Sequence, residues 1–263
     1  MQPHAFVKTN ILAIHAHPDD VEILAAGTLA QLAAAGHDIT IITMSPGDCG
    51  SDNHSREEIA AIRRDEAARS AAHIQARYRC AEFRDMSIFS DDASRRSVTE
   101  ILRQVAAELV LTSSPVDYLC DHEATSQLVR DACFAAMIPN YATRATNAAQ
   151  PLRAIPHLYF MDPLGGVDRE GHPVLPDFFV NVAAQMETKT AMLAEHGSQR
   201  EWLLRHHGLD NYLETMKTWT RENGRRAGIE YAEGFRRYKG HPYPESPLLE
   251  ELLGVTVVRP QHR

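Results

Sequence analysis

Cysteine is scarce in this chain of 263 residues: Cys49, Cys80, Cys120 and Cys133 are widely spaced and form no C-x-x-C pair. Four thiols in so long a chain exclude a disulfide framework, and they read as reduced, ordinary small residues. Clustered basic charge is also missing. Lys and Arg number 27 against 35 Asp and Glu, giving a formal net charge of −8 and a pI near 5.9. Binding to phosphate backbones needs Lys and Arg clusters that release counterions, so nucleic acid is not expected as a partner. Nowhere do eighteen apolar residues run together, which excludes a membrane-spanning helix, and Met1 to Asn10 holds no apolar stretch suited to a signal-peptide core. The expectation is a soluble, cytoplasmic protein. Internal repeats, low-complexity segments and linkers are absent too.

What is present is a 44% hydrophobic composition, enough for one sizeable α/β domain over residues 1–263. Asn10 to Ala16 (NILAIHA) suits a strand buried on both faces, and Val21 to Ala35 has helical apolar spacing, with Gly36 placed to close it in a left-handed cap. Asp38 to Met44 (DITIITM) is β-branched and reads as a second strand. Strand, helix, strand is a βαβ unit and implies a parallel sheet with a right-handed crossover. The alternation continues. Arg56 to Ala76, Ser97 to Ala107 and Glu123 to Met137 read as helices; Tyr78 to Phe83, Glu108 to Thr112, Ala154 to Phe160 and Phe178 to Val182 read as strands. From Ala183 to Phe235 the pattern is helical, with breaks near Gly197, Gly208 and Gly224. The fold class is therefore α/β, a Rossmann-like, mostly parallel sheet with helices on both faces, in which ligands gather at the carboxyl ends of strands.

Two clusters fall at such ends. His15-Ala16-His17-Pro18-Asp19-Asp20-Val21-Glu22 joins the first strand to the first helix, and Pro18 stiffens that turn. One of the two adjacent carboxylates can face a metal with His17 while the other faces water activated there. A single Asp capping the helix would need neither the second acid nor the histidine, and burying all three carries a desolvation cost that a cap does not. The second cluster, Pro115 to His122 (PVDYLCDH), follows the strand ending near Thr112. His122 would complete a His, Asp, His set with one position left open, the arrangement of a catalytic zinc.

Together these clusters resemble the LmbE-like, or PIG-L, deacetylases, zinc enzymes that hydrolyse N-acetyl groups on glucosamine-containing molecules. The resemblance takes in A-H-P-D-D at Ala16 to Asp20, a Gly-rich loop at Gly47 to Ser51, R-x-x-E at Arg63 to Glu66 and the pair Arg84-Asp85. It continues through P-x-D-x-x-x-D-H at Pro115 to His122, H-x-S-Q at His196 to Gln199 and E-x-F-R at Glu233 to Arg236. It implies zinc held by His17, Asp20 and His122, Asp19 as general base, and Arg63 and Asp85 on the polar groups of an N-acetylated sugar derivative. It also implies a possible homo-oligomer.

The chain departs from the family at Leu119, where a histidine usually stabilises the tetrahedral intermediate and pairs with the next Asp, here Asp121. Leucine donates no hydrogen bond, and losing an oxyanion donor costs roughly 10²–10³ in turnover. Either zinc alone carries the oxyanion, another donor such as His196 or His157 takes the place, or turnover of acetamides is low; a replacement donor is the favoured expectation, with Asp121 given a different partner, and the expected catalytic set is Asp19, Asp121 and His196. Two rivals stand beside this reading. His15-x-His17 resembles the metal-binding H-x-H of amidohydrolase barrels, but eight strand-helix repeats are not found, and His15 reads instead as a buried histidine lining the pocket. The other rival is a carbohydrate-binding or regulatory homologue without hydrolysis; an amidase acting on a non-sugar substrate is a further alternative.

Overall fold

A computed structural model describes residues 8–207 and 211–259. Its sheet has eight strands among the described residues: β1 (Asn10–His15), β2 (Asp38–Thr43), β3 (Arg77–Cys80), β4 (Leu109–Thr112), β5 (His157–Met161), β6 (Phe178–Asn181), β7 (Ala232–Arg237) and β8 (Val257–Val258). They lie in the order β3-β2-β1-β4-β5-β7-β6-β8. The first five are parallel, and β7, β6 and β8 extend the sheet by antiparallel pairing. The helices are α1 (Asp20–Ala34), α2 (Arg56–Ala72), α3 (Asp92–Val105), α4 (Cys120–Ala136), α5 (Met186–Ala194), α6 (Gly197–His207), α7 (Tyr212–Ala227) and α8 (Leu248–Leu253).

The strands alternate between two cores. Ile11 and Ala13 join Leu29, Ile41 and Val180 under α1 and α5, while Leu12 and Ile14 join Ile42, Leu102 and Leu128 under α3 and α4. Every side chain from Ile11 to His15 is thereby buried, as a strand covered on both faces requires. The chain winds from β1 outward to β2 and β3, then returns to place β4 on the other side of β1. That reversal opens a crevice beyond the carboxyl ends of β1 and β4, the place where open α/β sheets bind ligands.

Several expectations hold in detail. Gly36 has φ 93, and behind it the N–H groups of Gly36 and His37 return to the carbonyls of Ala33 and Leu32, a Schellman closure of α1. Other boundaries move. α3 begins at Asp92 rather than Ser97, because the Asp91 carboxylate accepts from the Ser94 N–H and starts the helix early. The segment from Ala183 to Phe235 is not helical throughout: Ala232 to Phe235 belong to β7, paired to β5 and β6. Glycine there permits close packing, since a Cβ on Gly234 would stand 2.6 Å from Asp162 Oδ2. The expected break near Gly208 lies outside the described residues.

Candidate metal centre and cavity

The turn after β1 delivers its residues in a defined order. Asp19 is the residue before α1 and adopts φ 93, the left-handed region that a non-glycine residue enters at a cost. Its carboxylate makes no helix-capping bond, so it is not spent on the helix start. Instead Asp19 lines a cavity of about 450 Å³. Asp20, the first residue of α1, turns Oδ2 inward, where it accepts the His17 backbone N–H at 2.8 Å.

Three ring nitrogens converge on the same Asp20 oxygen: His15 Nδ1 at 2.7 Å, His122 Nε2 at 3.4 Å and His17 Nδ1 at 3.5 Å. Two of these histidines hand their other nitrogen to a buried carboxylate. His122 Nδ1 lies 3.0 Å from Asp117 Oδ1, and His17 Nε2 lies 3.1 Å from Asp85 Oδ1 and 3.3 Å from Asp121 Oδ2. Carboxylates behind histidines in this way fix the ring and leave the inner nitrogen to a metal. Consistent with that, His122 Nε2 is buried and lacks a hydrogen-bond partner.

The buried imidazoles and carboxylates shift one another's proton affinities. Burial alone would lower the affinity of His17 for a proton, yet Asp121, Asp20 and Asp85 raise its pKa well above the ordinary histidine value. Burial would raise Asp20, but His122 and His15 beside it hold it well below the usual carboxylate range. Asp19 is pushed up to about 6, chiefly by burial, with Arg63 opposing. The donors, two imidazoles and a carboxylate, suit a divalent metal. His15, Asp20 and His122 form one group of mutually close ligand atoms, and His17, Asp85 and Asp121 form another. The expected ligands straddle the two groups, Asp20 and His122 in the first and His17 in the second; all three line the cavity, as Asp85 does, whereas His15 is wholly buried behind it. The expectation that His15 lines the pocket is corrected accordingly.

The remaining expected residues divide. Arg63 is buried and reaches back into the turn, donating to the Pro18 carbonyl at 2.9 Å and the Gly47 carbonyl at 3.3 Å, with only Nε left unpartnered. Asp85 lines the cavity but is engaged by His17 and by the Cys49 N–H at 3.2 Å. Asp121 holds His17 and accepts the Met86 N–H at 2.7 Å. His196, expected as a donor in the cavity, lies fully buried behind α1 with Nε2 3.2 Å from Glu22 Oε1 and does not reach the cavity wall. His157 begins β5, at the amino end of a parallel strand, on the far edge of the sheet from the cluster. Neither supplies what Leu119 lacks. The residue that meets Asp19 is Tyr212, whose hydroxyl donates to Oδ2 at 2.5 Å. Its signal was not in the sequence, because nothing near position 212 marks a tyrosine whose partner is far off along the chain. Trp202 and Trp219 also line the cavity unannounced, beside Gln199 of the H-x-S-Q segment.

Such a molecule is an α/β protein with an accessible cluster of histidines and carboxylates, candidate ligands for a divalent metal, at its topological switch point. Over residues 12–133, the chain matches the family model described as PIG-L, GlcNAc-PI de-N-acetylase. It is 26% identical over 239 residues to the diacetylchitobiose deacetylase of Thermococcus kodakarensis, covering 88% of this chain and 83% of that protein. It is 29% identical over 133 residues to the 1D-myo-inositol 2-acetamido-2-deoxy-alpha-D-glucopyranoside deacetylase of Corynebacterium diphtheriae, covering 40% and 44% of the two chains. Among solved structures, the N,N'-diacetylchitobiose deacetylase of Pyrococcus horikoshii superposes with a TM-score of 0.75 at 24% identity, over 90% of this chain and 86% of that one. A 4-carboxy-2-hydroxymuconate hydratase from Pseudomonas putida shares the fold with a TM-score of 0.73 at 20% identity, over 91% and 100%. The architecture thus serves more than one reaction, and the chemistry has to be argued from the site.

Proposed function

We propose that this protein is a zinc-dependent hydrolase that removes an N-acyl group, typically acetyl, from an amino sugar or a related polar small molecule, releasing a carboxylate and a free amine. The observation that carries the reading is the Asp19 carboxylate, which forgoes helix capping and lines the cavity next to His17, Asp20 and His122. The relatives named above support the amide bond of an N-acetylated amino sugar as the target. The four free cysteines suit a reducing compartment such as the cytoplasm.

His17, Asp20 and His122 would hold the ion. When bound, zinc supplies Lewis acidity, activating water near neutral pH and polarising the amide carbonyl. The chain's own groups do the rest. Asp19 accepts the proton that water loses on attack and returns it to the departing nitrogen, general base and then general acid. Burial raises its pKa to about 6, which makes it a stronger base than an ordinary carboxylate. Tyr212 holds Oδ2, which leaves Oδ1 to exchange the proton. Arg63 Nη2, 4.0 Å from Oδ1, keeps positive charge beside it.

The decisive experiment pairs two variants with metal analysis and a free-amine assay over N-acetylated sugars. Asp19→Asn should keep its zinc and lose roughly 10²–10⁴ in turnover, while His122→Ala should lose zinc. If Asp19→Asn loses zinc and His122→Ala retains both metal and activity, the assignment is overturned.

A further inference from the structure

Resting on that reading of the site, we infer that the buried pair Lys189–Glu233 is a positioning device that fixes the first turn of α1, and with it Asp19 and Asp20, for the cation.

Lys189 comes from α5 and Glu233 from β7, and they are 0% and 2% exposed. Nζ stands 2.5 Å from Oε1. The pair does not merely pack against α1; it enters the helix's hydrogen-bond ladder. Lys189 Nζ donates to the Ile23 carbonyl at 2.7 Å, and the same Oε1 accepts the Gly27 N–H at 2.9 Å. Ile23 and Gly27 are the two ends of one i to i+4 rung. The rung is therefore bridged by an ion pair, and the second oxygen of Glu233 takes the next N–H, that of Thr28, at 2.7 Å. Side chains inserted into a ladder are a recognised cause of local opening in a helix. Gly27 makes the room: a Cβ there would stand 2.7 Å from Val182 Cβ and 3.1 Å from Glu233 Oε1.

The rung lies immediately after the turn that carries Asp20. A helix packed only by apolar contact can shift along its axis by fractions of an ångström at little cost, because dispersion is non-directional. Hydrogen bonds from β7 and α5 to named backbone groups of α1 remove that freedom. On its other side, the same turn is tied through Glu22, which accepts from Ser70 Oγ of α2 at 2.6 Å. Metal ligation tolerates errors of only about 0.2 Å in ligand distance, so locating this turn bears directly on affinity. Stability is a poor explanation for the pair, since buried ion pairs are often no better than apolar replacements of the same shape.

The test compares Lys189→Met/Glu233→Gln, which removes both charges while keeping volume, with the full wild-type chain. Zinc affinity is read by competition with a chromogenic chelator, together with thermal midpoint, kcat and KM on one N-acetylated sugar. The expected result is a midpoint within about 5 °C of wild type, zinc binding at least about tenfold weaker, kcat reduced to match and KM within about twofold. A double variant with wild-type zinc affinity and kcat overturns the proposal, whatever its midpoint. Should it not fold, Glu233→Gln alone, which keeps one accepting oxygen, is read in the same way. A wild-type protein that neither binds zinc nor releases amine overturns the functional reading, and this proposal with it; a competent wild type beside a competent variant overturns the proposal alone.

Discussion

The Tyr212 hydroxyl donates to Asp19 Oδ2 at 2.5 Å, joining the first residue of α7 to the residue that opens α1. Both line the cavity, so this bond sits at the reaction centre and sets the direction in which the Asp19 carboxylate faces. Replacing Tyr212 by Phe removes a hydrogen bond to a charged group, worth about 1.5–3 kcal/mol. We expect kcat to fall by roughly tenfold to a hundredfold, with zinc content unchanged. Steady-state kinetics and metal analysis check this, and an unaltered kcat would show that Arg63 and the backbone suffice to orient Asp19.

Asp117 should matter through the metal alone. It is fully buried, and its Oδ1 is the partner of His122 Nδ1. Asp117→Asn weakens the charge that makes the inner nitrogen basic, so zinc affinity should drop by roughly 10–100-fold. Competition titration against a chelator measures it. Affinity equal to wild type would mean that His122 is oriented by packing.

Two glycines offer a controlled comparison. Gly47 has φ 69, and a Cβ on it would lie 2.2 Å from Arg63 Nη1; Gly165 has φ 76 with nothing within 4 Å. Alanine at 165 should cost about 1–2 kcal/mol, the left-handed backbone penalty alone. Alanine at 47 carries the same penalty and also displaces Arg63 from the turn that holds Asp19, so it should lose more stability and turnover as well. Denaturant unfolding and kinetics on the two variants separate the effects; equal losses would remove Arg63 from its bracing role.

Asp162 predicts a pH dependence of stability. Burial raises its pKa from 3.8 to about 7, with Arg226 and Arg236 opposing. Between those values the folded protein keeps a proton that the unfolded chain releases. The contribution is therefore full below the unfolded value and is lost as pH rises through about 7. Asp162→Asn, which cannot ionise, should gain stability relative to wild type as pH rises from 4 to 7, by about 4 kcal/mol in all, and hold that gain above 7. Thermal unfolding of both proteins across the range tests it, and a difference independent of pH would place the ionised carboxylate in a satisfied site.

Much of the parallel half of the sheet was legible locally. Ile11 to Ile14 announce a strand buried on both faces, and Gly36 announces its helix end, because hydrophobic period and backbone freedom act over a few residues. The antiparallel strand at Ala232–Arg237 was not, since its pairing with β5 and β6 is a long-range choice that local propensity does not encode. His17, Asp19, Asp20 and His122 were readable for a related reason: each sits at the end of an element whose type the sequence shows, so topology alone brings them near one crevice.

By itself, then, the amino-acid order determined the βαβ start of the fold, the two acid-and-histidine segments and their shared edge of the sheet. Tertiary structure decided which partner each of them meets. Tyr212 reaches Asp19 across 193 positions of chain, Lys189 and Glu233 enter α1 from distant elements, and His196 turns to Glu22 rather than to the cavity. The physical reason is that ligand-bearing turns are specified by short-range conformational preference, whereas the hydrogen bonds and charges that orient them depend on which surfaces the packed core brings within about 3 Å of one another.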